Sequence, residues 1–381
     1  MSELILTGPM IYTEQGLVHH HSLSIKNGLI SGIEKKIVNK NAQIRQFPEN
    51  YRIVPGFIDL HIHGANNHDV MDGTQTSLQS ISQALLAEGV TGFLATTMTA
   101  PVNELTHVMQ TVQTFSQQPT NLLGLHLEGP FISAAKAGAQ QSTHILSPDI
   151  TLFAEWQKIS GDLIKLVTLA PELKNVLPFI AYLRQQNIIA SLGHSHATYA
   201  ETLAAFDQGA NYMTHLFNAM RALHHREPGI LTAALLNDQV WTELIVDGIH
   251  LHPAIVALAL KLKSKDKIIL VTDAMRAKCL GDGKYTLGGQ MVEVKNNQAT
   301  IANGRLAGSV LRMPEAIKNM MNFTNVDLSD VIQMVSANPA KVLGIYDKKG
   351  SIAVGKDADL VILNERLAVE LTILQGNALK P

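Results

Sequence analysis

The chain has 381 residues and a formal net charge of −2, and 46% of its residues are apolar. This length fits one large α/β barrel with additions, and the apolar fraction is ample for a large core. The near-neutral charge, without a block of Lys and Arg, gives no indication of a nucleic acid or an anionic membrane as partner.

The composition also bears on the compartment. A single cysteine, Cys279, excludes an internal disulfide and fits a reducing, cytoplasmic setting. The first residues lack the basic start and the long apolar run of a signal peptide. No uninterrupted apolar stretch approaches the roughly 20 residues that span a bilayer. We therefore expect a cytoplasmic protein with no membrane and no nucleic acid among its partners.

Short β-type runs occupy both ends of the chain. Residues 1–53 contain runs such as Leu4–Thr7 and an Asn27-Gly28 pair, which is a hairpin signal. Residues 346–381 contain similar runs, such as Leu360–Leu363. Because the two ends share one character, we predict that together they build a small β-sandwich domain.

Between these ends, residues 54–345 alternate between apolar β-type runs and amphipathic helical stretches. Strands are predicted at Val54–Ile62, Gly92–Thr97, Leu122–Leu127, Lys165–Leu169, Ile188–Leu192, Tyr212–Leu216, Glu243–Val246 and Ile268–Thr272. Helices are predicted at Ser77–Ala87, Asn103–Phe115, Pro148–Ile159, Val176–Gln186, Tyr199–Asp207, Ile230–Asn237, Pro253–Lys263 and Pro314–Phe323. Eight alternating β and α units predict a (β/α)8 TIM-like barrel.

Two further segments are predicted within the catalytic barrel region. A β-hairpin insertion is expected near residues 285–301, with Gly288-Gly289 and Asn296-Asn297 as turns. One last helix is expected at about Leu328–Leu343, before the chain returns to the β domain. The predicted division is therefore a β domain from residues 1–53 and 346–381 around a barrel.

Residues that commonly bind metals stand at the carboxyl ends of the predicted strands. His61 and His63 are two positions apart in the first strand, so they point to one side and can bind one cation. The other candidates end later strands; they are Glu128, His194, His215 and Asp273. Barrel enzymes place their chemistry at this rim, so we expect these side chains to converge on one or two divalent cations. Imidazole and carboxylate ligands suit zinc, iron, cobalt or manganese.

Each of these residues also has a structural interpretation. A lone histidine in an apolar run is more often a hydrogen-bonded core residue than a ligand, and Glu128 or Asp273 can cap a following loop. These separate interpretations do not explain why all six residues fall at strand ends of one face, so we prefer the metal interpretation. His126 faces the same side as Glu128 and is expected to support the ligands. His19-His20-His21 is expected to be solvated surface.

The motifs resemble those of the amidohydrolase superfamily. Pro55-Gly56-Phe57-Ile58-Asp59-Leu60-His61-Ile62-His63-Gly64 is similar to its opening metal motif, and Gly350–Leu360 is similar to its closing segment. More narrowly, the chain resembles the N-acetylglucosamine-6-phosphate deacetylases at His126–Phe131, Gly193–Ser195, Thr214–Met220, Arg226–Gly229, Asp247–His250 and Leu270–Ala274. The sister N-acetylgalactosamine-6-phosphate deacetylases are also similar, so the motifs do not separate the two hexosamines.

The resemblance implies an activity and a set of metal ligands. The implied reaction is the hydrolysis of N-acetylglucosamine 6-phosphate to glucosamine 6-phosphate and acetate by a metal-activated hydroxide, in amino-sugar catabolism. The metal is one or two divalent cations per subunit, with zinc preferred. Glu128, His194 and His215 are implied as ligands of one cation, His61 and His63 as the extra ligands of two-metal members, and Asp273 as a further metal ligand. Asp273 is also implied as the catalytic carboxylate, which acts as base and then as acid.

The same resemblance implies contacts to the substrate. They are Ala139, Asn218, Ala219, Arg226, His250 and Leu306. Arg226 and His250 are implied at the phosphate, which they would reach across the interface of a homodimer. Gln140 departs from the pattern, because some members have a histidine there that meets the substrate. Related two-metal members also carry glutamine at this position, so we expect activity to persist, with an altered contact to the acyl group or the sugar.

Other interpretations remain open from the sequence. An amidohydrolase acting on cyclic amides or nucleobases is one, but the subtype with a bridging carbamylated lysine needs a lysine where Glu128 stands. A homologue kept as a metal-free scaffold is another, although such a chain would be expected to lose ligands that this one retains. A metal-dependent sugar-phosphate isomerase on the same barrel is a third.

Overall fold

The computed structural model describes residues 3–35, 39 and 41–379. The strands before the barrel are β1 (Leu4–Thr7), β2 (Met10–Thr13), β3 (Gly16–Val18), β4 (Ser22–Lys26), β5 (Leu29–Glu34), β6 (Gln43–Gln46) and β7 (Arg52–Pro55). The strands of the barrel region are β8 (Phe57–Ile62), β9 (Gly64–Ala65), β10 (His68–Asp69), β11 (Val90–Thr96), β12 (Leu122–Glu128), β13 (Ile164–Leu169), β14 (Ile189–Leu192), β15 (Tyr212–Met213), β16 (Trp241–Leu244) and β17 (Ile268–Leu270). The remaining strands are β18 (Gly283–Leu287), β19 (Gln290–Lys295), β20 (Gln298–Ile301), β21 (Leu360–Leu363), β22 (Val369–Leu374) and β23 (Asn377–Leu379).

The helices alternate with the barrel strands. They are α1 (Gln75–Ala87), α2 (Val102–Phe115), α3 (Ile150–Ile159), α4 (Val176–Gln185), α5 (Tyr199–Gln208), α6 (Ile230–Leu236), α7 (Pro253–Lys263), α8 (Met313–Thr324), α9 (Leu328–Ile332) and α10 (Asn338–Val342). Across the residues that the structure describes, none of the helices combines the length and the apolar character needed to cross a membrane.

The central sheet is parallel and runs in the order β8, β11, β12, β13, β14, β15, β16 and β17. Its first and last strands approach each other at their carboxyl ends, where Ile62 and Ala274 form a parallel bridge. The N–H of Asp273 donates a hydrogen bond of 2.8 Å to the carbonyl of His61 at the same place. The predicted TIM-like barrel is therefore confirmed, and its closure brings together two residues of the predicted site.

The first helix shows how the sequence builds the barrel layers. Thr74 caps α1 by accepting a hydrogen bond from the N–H of Ser77. Leu78, Ile81 and Leu85 are spaced by three or four residues, so they lie on one face, and that face is buried. β11 is buried along its whole length, which is typical of a parallel strand covered on both faces.

The small β domain consists of two sheets that share one core. One sheet has the order β5, β4, β1, β6, and the other has the order β23, β22, β21, β7, β2, β3. Leu6 and Leu23 from the first sheet pack with Ile53, Leu360 and Ile373 from the second. β21 pairs antiparallel with β7, so the two ends of the chain complete one sheet, and the predicted β-sandwich is confirmed.

The predicted strand Val54–Ile62 is wrong in extent, because it is divided into two strands at Gly56. Residues before Gly56 belong to β7 in the small domain, and residues after it belong to β8 in the barrel. A side chain at Gly56 would place its Cβ 1.9 Å from Thr91 Oγ1, so only glycine fits this turn between the two sheets. The boundaries that we predict for the β domain, at 53 and 346, remain a proposal.

Two other predicted elements differ in form from the structure, and the predicted strands Tyr212–Leu216 and Glu243–Val246 differ in extent, as β15 and β16. The hairpin insertion near 285–301 is a three-stranded antiparallel sheet, β18 to β20, with the two predicted turns between its strands. The single last helix is interrupted by a π-helical segment, Gln333–Ala337. Pro339 lacks an N–H and cannot bond the carbonyl four residues earlier, so the preceding turn widens.

Candidate metal centre and active site

Three of the predicted ligands form one compact group at the carboxyl end of the barrel. The Nε2 atoms of His194 and His215 lie 3.1 Å apart, and each lies 3.2 Å from Glu128 Oε1. All three side chains are buried. They are close enough together to bind a single ion.

The other three predicted ligands form a second group beside the first. Asp273 Oδ1 lies 3.4 Å from His61 Nε2 and 3.2 Å from His63 Nε2. Glu128 connects the groups, since its Oε1 is 3.4 Å from His61 Nε2 and its Oε2 is 3.3 Å from His63 Nε2. The six side chains predicted to converge therefore do so.

The spacing of these atoms fits a divalent metal. Nitrogen and oxygen ligands lie about 2.0–2.2 Å from a tetrahedral zinc ion, which separates any two of them by roughly 3.3–3.6 Å. The separations observed here are 3.1–3.4 Å. His61 Nε2 is buried and has no hydrogen-bond partner among the described residues, as expected of an atom kept free for a metal.

The other ring nitrogen of three histidines is held by an acceptor, which fixes the tautomer. Each Nδ1–H donates to an oxygen, so the lone pair lies on Nε2 and faces the group of ligands. The bonds are His61 to Glu243 Oε2 at 2.9 Å, His63 to the carbonyl of Thr96 at 3.3 Å and His194 to the carbonyl of Lys136 at 2.9 Å.

The charge of the centre also favours a cation. Within the described chain, no Lys or Arg pairs with the buried carboxylates Glu128, Glu243 and Asp273. Burial raises the pKa of Asp273, but the nearby His61 and His63 rings outweigh burial and lower it to about 2. Burial lowers the pKa of His63, but hydrogen bonds to Asp273 and Glu128 outweigh burial and raise it to about 9. The field of the carboxylates thus stabilises positive charge at the ring nitrogens.

Three of the converging residues have unusual backbone angles. His194, His215 and Asp273 have φ values of 46°, 29° and 48°, in the left-handed region that side chains other than glycine seldom adopt. Such a conformation costs roughly 1–3 kcal/mol per residue and is concentrated at functional sites. Each of these residues follows the end of a barrel strand, so the chain turns sharply where the side chain enters the centre.

A cavity of about 380 Å³ opens above the ligands, within the size range of small-molecule sites. Five predicted substrate contacts line it, namely Ala139, Asn218, Ala219, His250 and Leu306. Arg226 does not: it is exposed, and its Nη1 lies 2.7 Å from the Nε2 of the adjacent His225. Two basic residues that the sequence did not indicate, Lys136 and Arg305, also line the cavity.

His250 lines the cavity of its own chain and is oriented by Asp247. Their Nδ1 and Oδ2 atoms lie 2.6 Å apart. Burial lowers the pKa of His250, but the Asp247 carboxylate outweighs burial and raises it. Burial likewise raises the pKa of Asp247, but the bond to His250 outweighs burial and lowers it. His250 therefore lies at the cavity of its own chain, and its expected contribution across a dimer interface stays a prediction.

Gln140 is engaged with the metal ligands rather than free for the substrate. It is buried at the edge of the cavity, and its Nε2 donates to Glu128 Oε2 at 2.7 Å. Its Oε1 accepts a hydrogen bond of 2.6 Å from the N–H of Thr99. Both ends of the amide are therefore used within the protein, which gives a physical reason for glutamine at this position.

Two buried residues support the ligands from inside the barrel. His126 packs edge-on against His61, with ring centroids 4.5 Å apart, and its Nε2 lies 2.7 Å from Thr168 Oγ1. This agrees with the supporting position expected for His126. The sequence did not indicate Glu243, although a charged residue within an apolar strand is a signal that could have found it. His19 and His20 are exposed, as expected, whereas His21 is half-buried.

The geometry agrees with what comparison with known proteins reveals. Residues 52–379 match the amidohydrolase family. The chain belongs to this family. It is 43% identical over 384 residues to N-acetylglucosamine-6-phosphate deacetylase of Bacillus subtilis (strain 168), covering 98% of this chain and 96% of that protein. It is 36% identical over 378 residues to N-acetylgalactosamine-6-phosphate deacetylase of Escherichia coli O157:H7, covering 98% of each.

Solved structures extend this similarity to three dimensions. A mutant N-acetyl-D-glucosamine-6-phosphate deacetylase from Mycobacterium smegmatis, in complex with N-acetyl-D-glucosamine-6-phosphate, matches with a TM-score of 0.94 and 30% identity. The match covers 99% of both chains. The resemblance inferred from the sequence motifs is thus confirmed across the small β domain and the barrel of this amidohydrolase.

Proposed function

We propose that this amidohydrolase deacetylates N-acetylglucosamine 6-phosphate, releasing glucosamine 6-phosphate and acetate, in the breakdown of amino sugars. The observation that carries the proposal is the joining of two groups of metal ligands through Glu128 at the base of a cavity with basic walls. Amide hydrolysis needs an activated water and a polarised carbonyl, and a phosphorylated sugar needs positive charge nearby. The names of the relatives support the same substrate.

We assign two divalent cations to each subunit, with zinc as the first choice. Glu128, His194 and His215 would hold one, and the second would be held by His61, His63 and Asp273. When bound, a divalent cation supplies Lewis acidity that makes water a better nucleophile and an acetyl carbonyl a better electrophile. Nitrogen and oxygen ligands without thiolates support zinc, and iron, cobalt or manganese remain compatible with them.

Asp273 is our candidate for the general base and acid. Its side chain lines the cavity, is 11% exposed, and has a pKa low enough to be ionised at neutral pH. In the proposed reaction, Asp273 accepts a proton from the attacking water and then delivers it to the nitrogen of the departing sugar. Gln140 holds Glu128 by its hydrogen bond, so the carboxylate between the two ligand groups stays fixed.

The phosphate is assigned to the basic wall of the cavity. His250 lies there in the same chain and keeps a raised pKa through Asp247, so it can carry positive charge beside a phosphate. Asn218 and the backbone at Ala219, with Ala139 and Leu306, would contact the sugar and its acyl group. Arg226 is exposed, lies outside the cavity of its own chain and contacts the ring of the adjacent His225, and this position supports its reaching the phosphate in a second subunit of a homodimer.

The test is acetate release by the metal-reconstituted protein. N-acetylglucosamine 6-phosphate should be hydrolysed faster than N-acetylgalactosamine 6-phosphate. Unphosphorylated N-acetylglucosamine should be hydrolysed more slowly than either phosphate. A faster reaction with the galactosamine compound would favour the second candidate function, which the Escherichia coli relative supports. If the metal-bound protein releases no acetate from either N-acetylhexosamine 6-phosphate, the proposal is rejected, and the substrate would be another amide. A cytoplasmic location remains a prediction from the single cysteine.

A further inference from the structure

One fully buried carboxylate lies beneath the metal ligands and outside the substrate cavity. Glu243 is in the middle of β16 and is 0% exposed. It does not line the cavity, so it is not positioned to touch a substrate. Within the described residues, its ion-pair partner is the His61 ring, and no lysine or arginine pairs with it.

Glu243 contacts both groups of ligands through a single oxygen. Its Oε2 accepts the Nδ1–H of His61 at 2.9 Å and the backbone N–H of His215 at 2.9 Å. The first bond fixes the ring of a residue in the group with His63 and Asp273. The second bond holds the backbone of a residue in the group with Glu128, where φ is 29°. One oxygen thus links the two groups below the centre, as Glu128 links them at the centre.

These contacts define what Glu243 does to each ligand. A carboxylate acceptor at Nδ1 keeps the proton there, so His61 presents its Nε2 lone pair toward Asp273 and Glu128. The bond to the His215 N–H stabilises a left-handed backbone conformation that would otherwise be costly. Without it, His215 would be free to relax and to withdraw its ring from Glu128 and His194.

We propose that Glu243 is the positioning residue that preorganises both cation sites together, and that the two divalent cations are therefore coupled through it. The inference rests on the proposed function only in requiring that these histidines bind metal, and it does not require deacetylation. Loss of a partner that orients a metal ligand commonly weakens metal binding about 10- to 100-fold. The coupling predicts that a change at Glu243 weakens both sites, with the site containing His61 affected more.

The test is titration of the metal-free full-length protein with Zn²⁺ and Co²⁺ in competition with a chelator. Glu243→Gln keeps the shape of the side chain but removes its charge, and Glu243→Ala removes the acceptor altogether. Thr242→Val is the matched control: Thr242 is the preceding residue of β16, is fully buried, and its hydroxyl has no hydrogen-bond partner among the described residues. Because side chains alternate along a strand, it faces away from Glu243. A His63→Ala protein supplies the reference for a site that has lost a ligand.

The expected result is a dissociation constant for the site with His61 that rises about 10- to 100-fold in Glu243→Gln, with a smaller rise at the site with His215. The visible bands of bound Co²⁺ should change in Glu243→Gln and stay constant in Thr242→Val. If Glu243→Ala does not fold, Glu243→Gln alone decides the question.

Three results would overturn the inference. They are wild-type affinity for two cations in Glu243→Gln, equal weakening in Thr242→Val, and a wild-type protein that binds a single cation. Because metal is measured directly, a protein that binds both cations but releases no acetate would refute the proposed function and leave this inference standing.

Discussion

Two impaired variants should regain activity when they assemble into one dimer. Arg226→Ala removes the guanidinium proposed to reach the partner's phosphate, and Asp273→Asn removes the proposed base from its own site. In a mixed dimer, the site of the Arg226→Ala subunit keeps Asp273 and receives Arg226 from the other subunit. The opposite site lacks both groups. The exposed position of Arg226, outside the cavity of its own chain, is the structural basis for this expectation.

The size of the effect follows from the contacts and from the symmetry. A hydrogen bond to a charged group contributes about 1.5–3 kcal/mol, so Arg226→Ala alone should lose about 10- to 150-fold in kcat/KM. Loss of a general base lowers kcat by about 10²- to 10⁴-fold, which sets the loss in Asp273→Asn. Random pairing of equal amounts makes half of the dimers mixed, each with one complete site. The isolated mixed dimer should therefore show about half of wild-type activity, and the unfractionated mixture about a quarter.

The assay is co-expression of the two variants with different affinity tags, isolation of the doubly tagged dimer and measurement of acetate release. The control for mixing is a dimer of Asp282→Asn with Arg226→Ala, because Asp282 is an exposed acidic residue outside the cavity. This dimer should show no comparable gain over the average of the activities of its two parent variants. Activity of the doubly tagged dimer no greater than that of Arg226→Ala alone would refute the exchange of Arg226 between subunits. The phosphate would then have to be bound by residues of one chain.

Three further predictions concern single residues. Asp273→Asn should keep one tightly bound metal equivalent, at the histidine and glutamate group that excludes Asp273; loss of all metal by elemental analysis would contradict this. Asp247→Asn should lower the urea unfolding midpoint most between about pH 4 and 6.5. The lowered pKa of Asp247 contributes stability that is lost as pH falls through its folded value, below 3.8. The raised pKa of His250 contributes stability that is lost as pH rises through its folded value, above 6.5. A pH-independent difference would contradict the pairing. Burial and, to a lesser extent, the neighbouring Glu88 carboxylate raise the pKa of Cys279 to about 11. Iodoacetamide should therefore react slowly with Cys279 at pH 8 in the folded protein and much faster in urea. Equal rates would contradict the shift.

The metal ligands could be predicted because two simple rules act together. Parallel strands of a barrel end at one rim, and polar residues at the ends of apolar runs need a reason to be there. His61, His194 and Asp273 come from distant parts of the chain, yet each was identifiable as the end of a predicted strand. The barrel topology then predicts that these side chains converge, although the sequence contains no distances between them. The same reasoning recovered the barrel and the pairing of the two chain ends.

Other features depend on contacts that spacing alone does not reveal. Glu243 was within a predicted strand, but nothing in the sequence shows which distant histidine its carboxylate meets. Lys136 ends a single 3₁₀ turn, Ala134–Lys136, and Arg305 is in a loop, and neither kind of segment carries a periodic signal. Glycine is required at position 56 by a close approach to Thr91, a residue of β11 that is distant along the chain.

The pairing of β21 with β7 has a consequence for synthesis of the chain on the ribosome. β7 precedes the entire barrel, but its antiparallel neighbour is made only after about three hundred more residues have been translated. Until then β7 has an open edge on that side, which is prone to pairing with other chains. The sheet of the small domain is thus completed only after the barrel strands have been translated, and a stop codon before Leu360 would leave that edge of β7 without this neighbour.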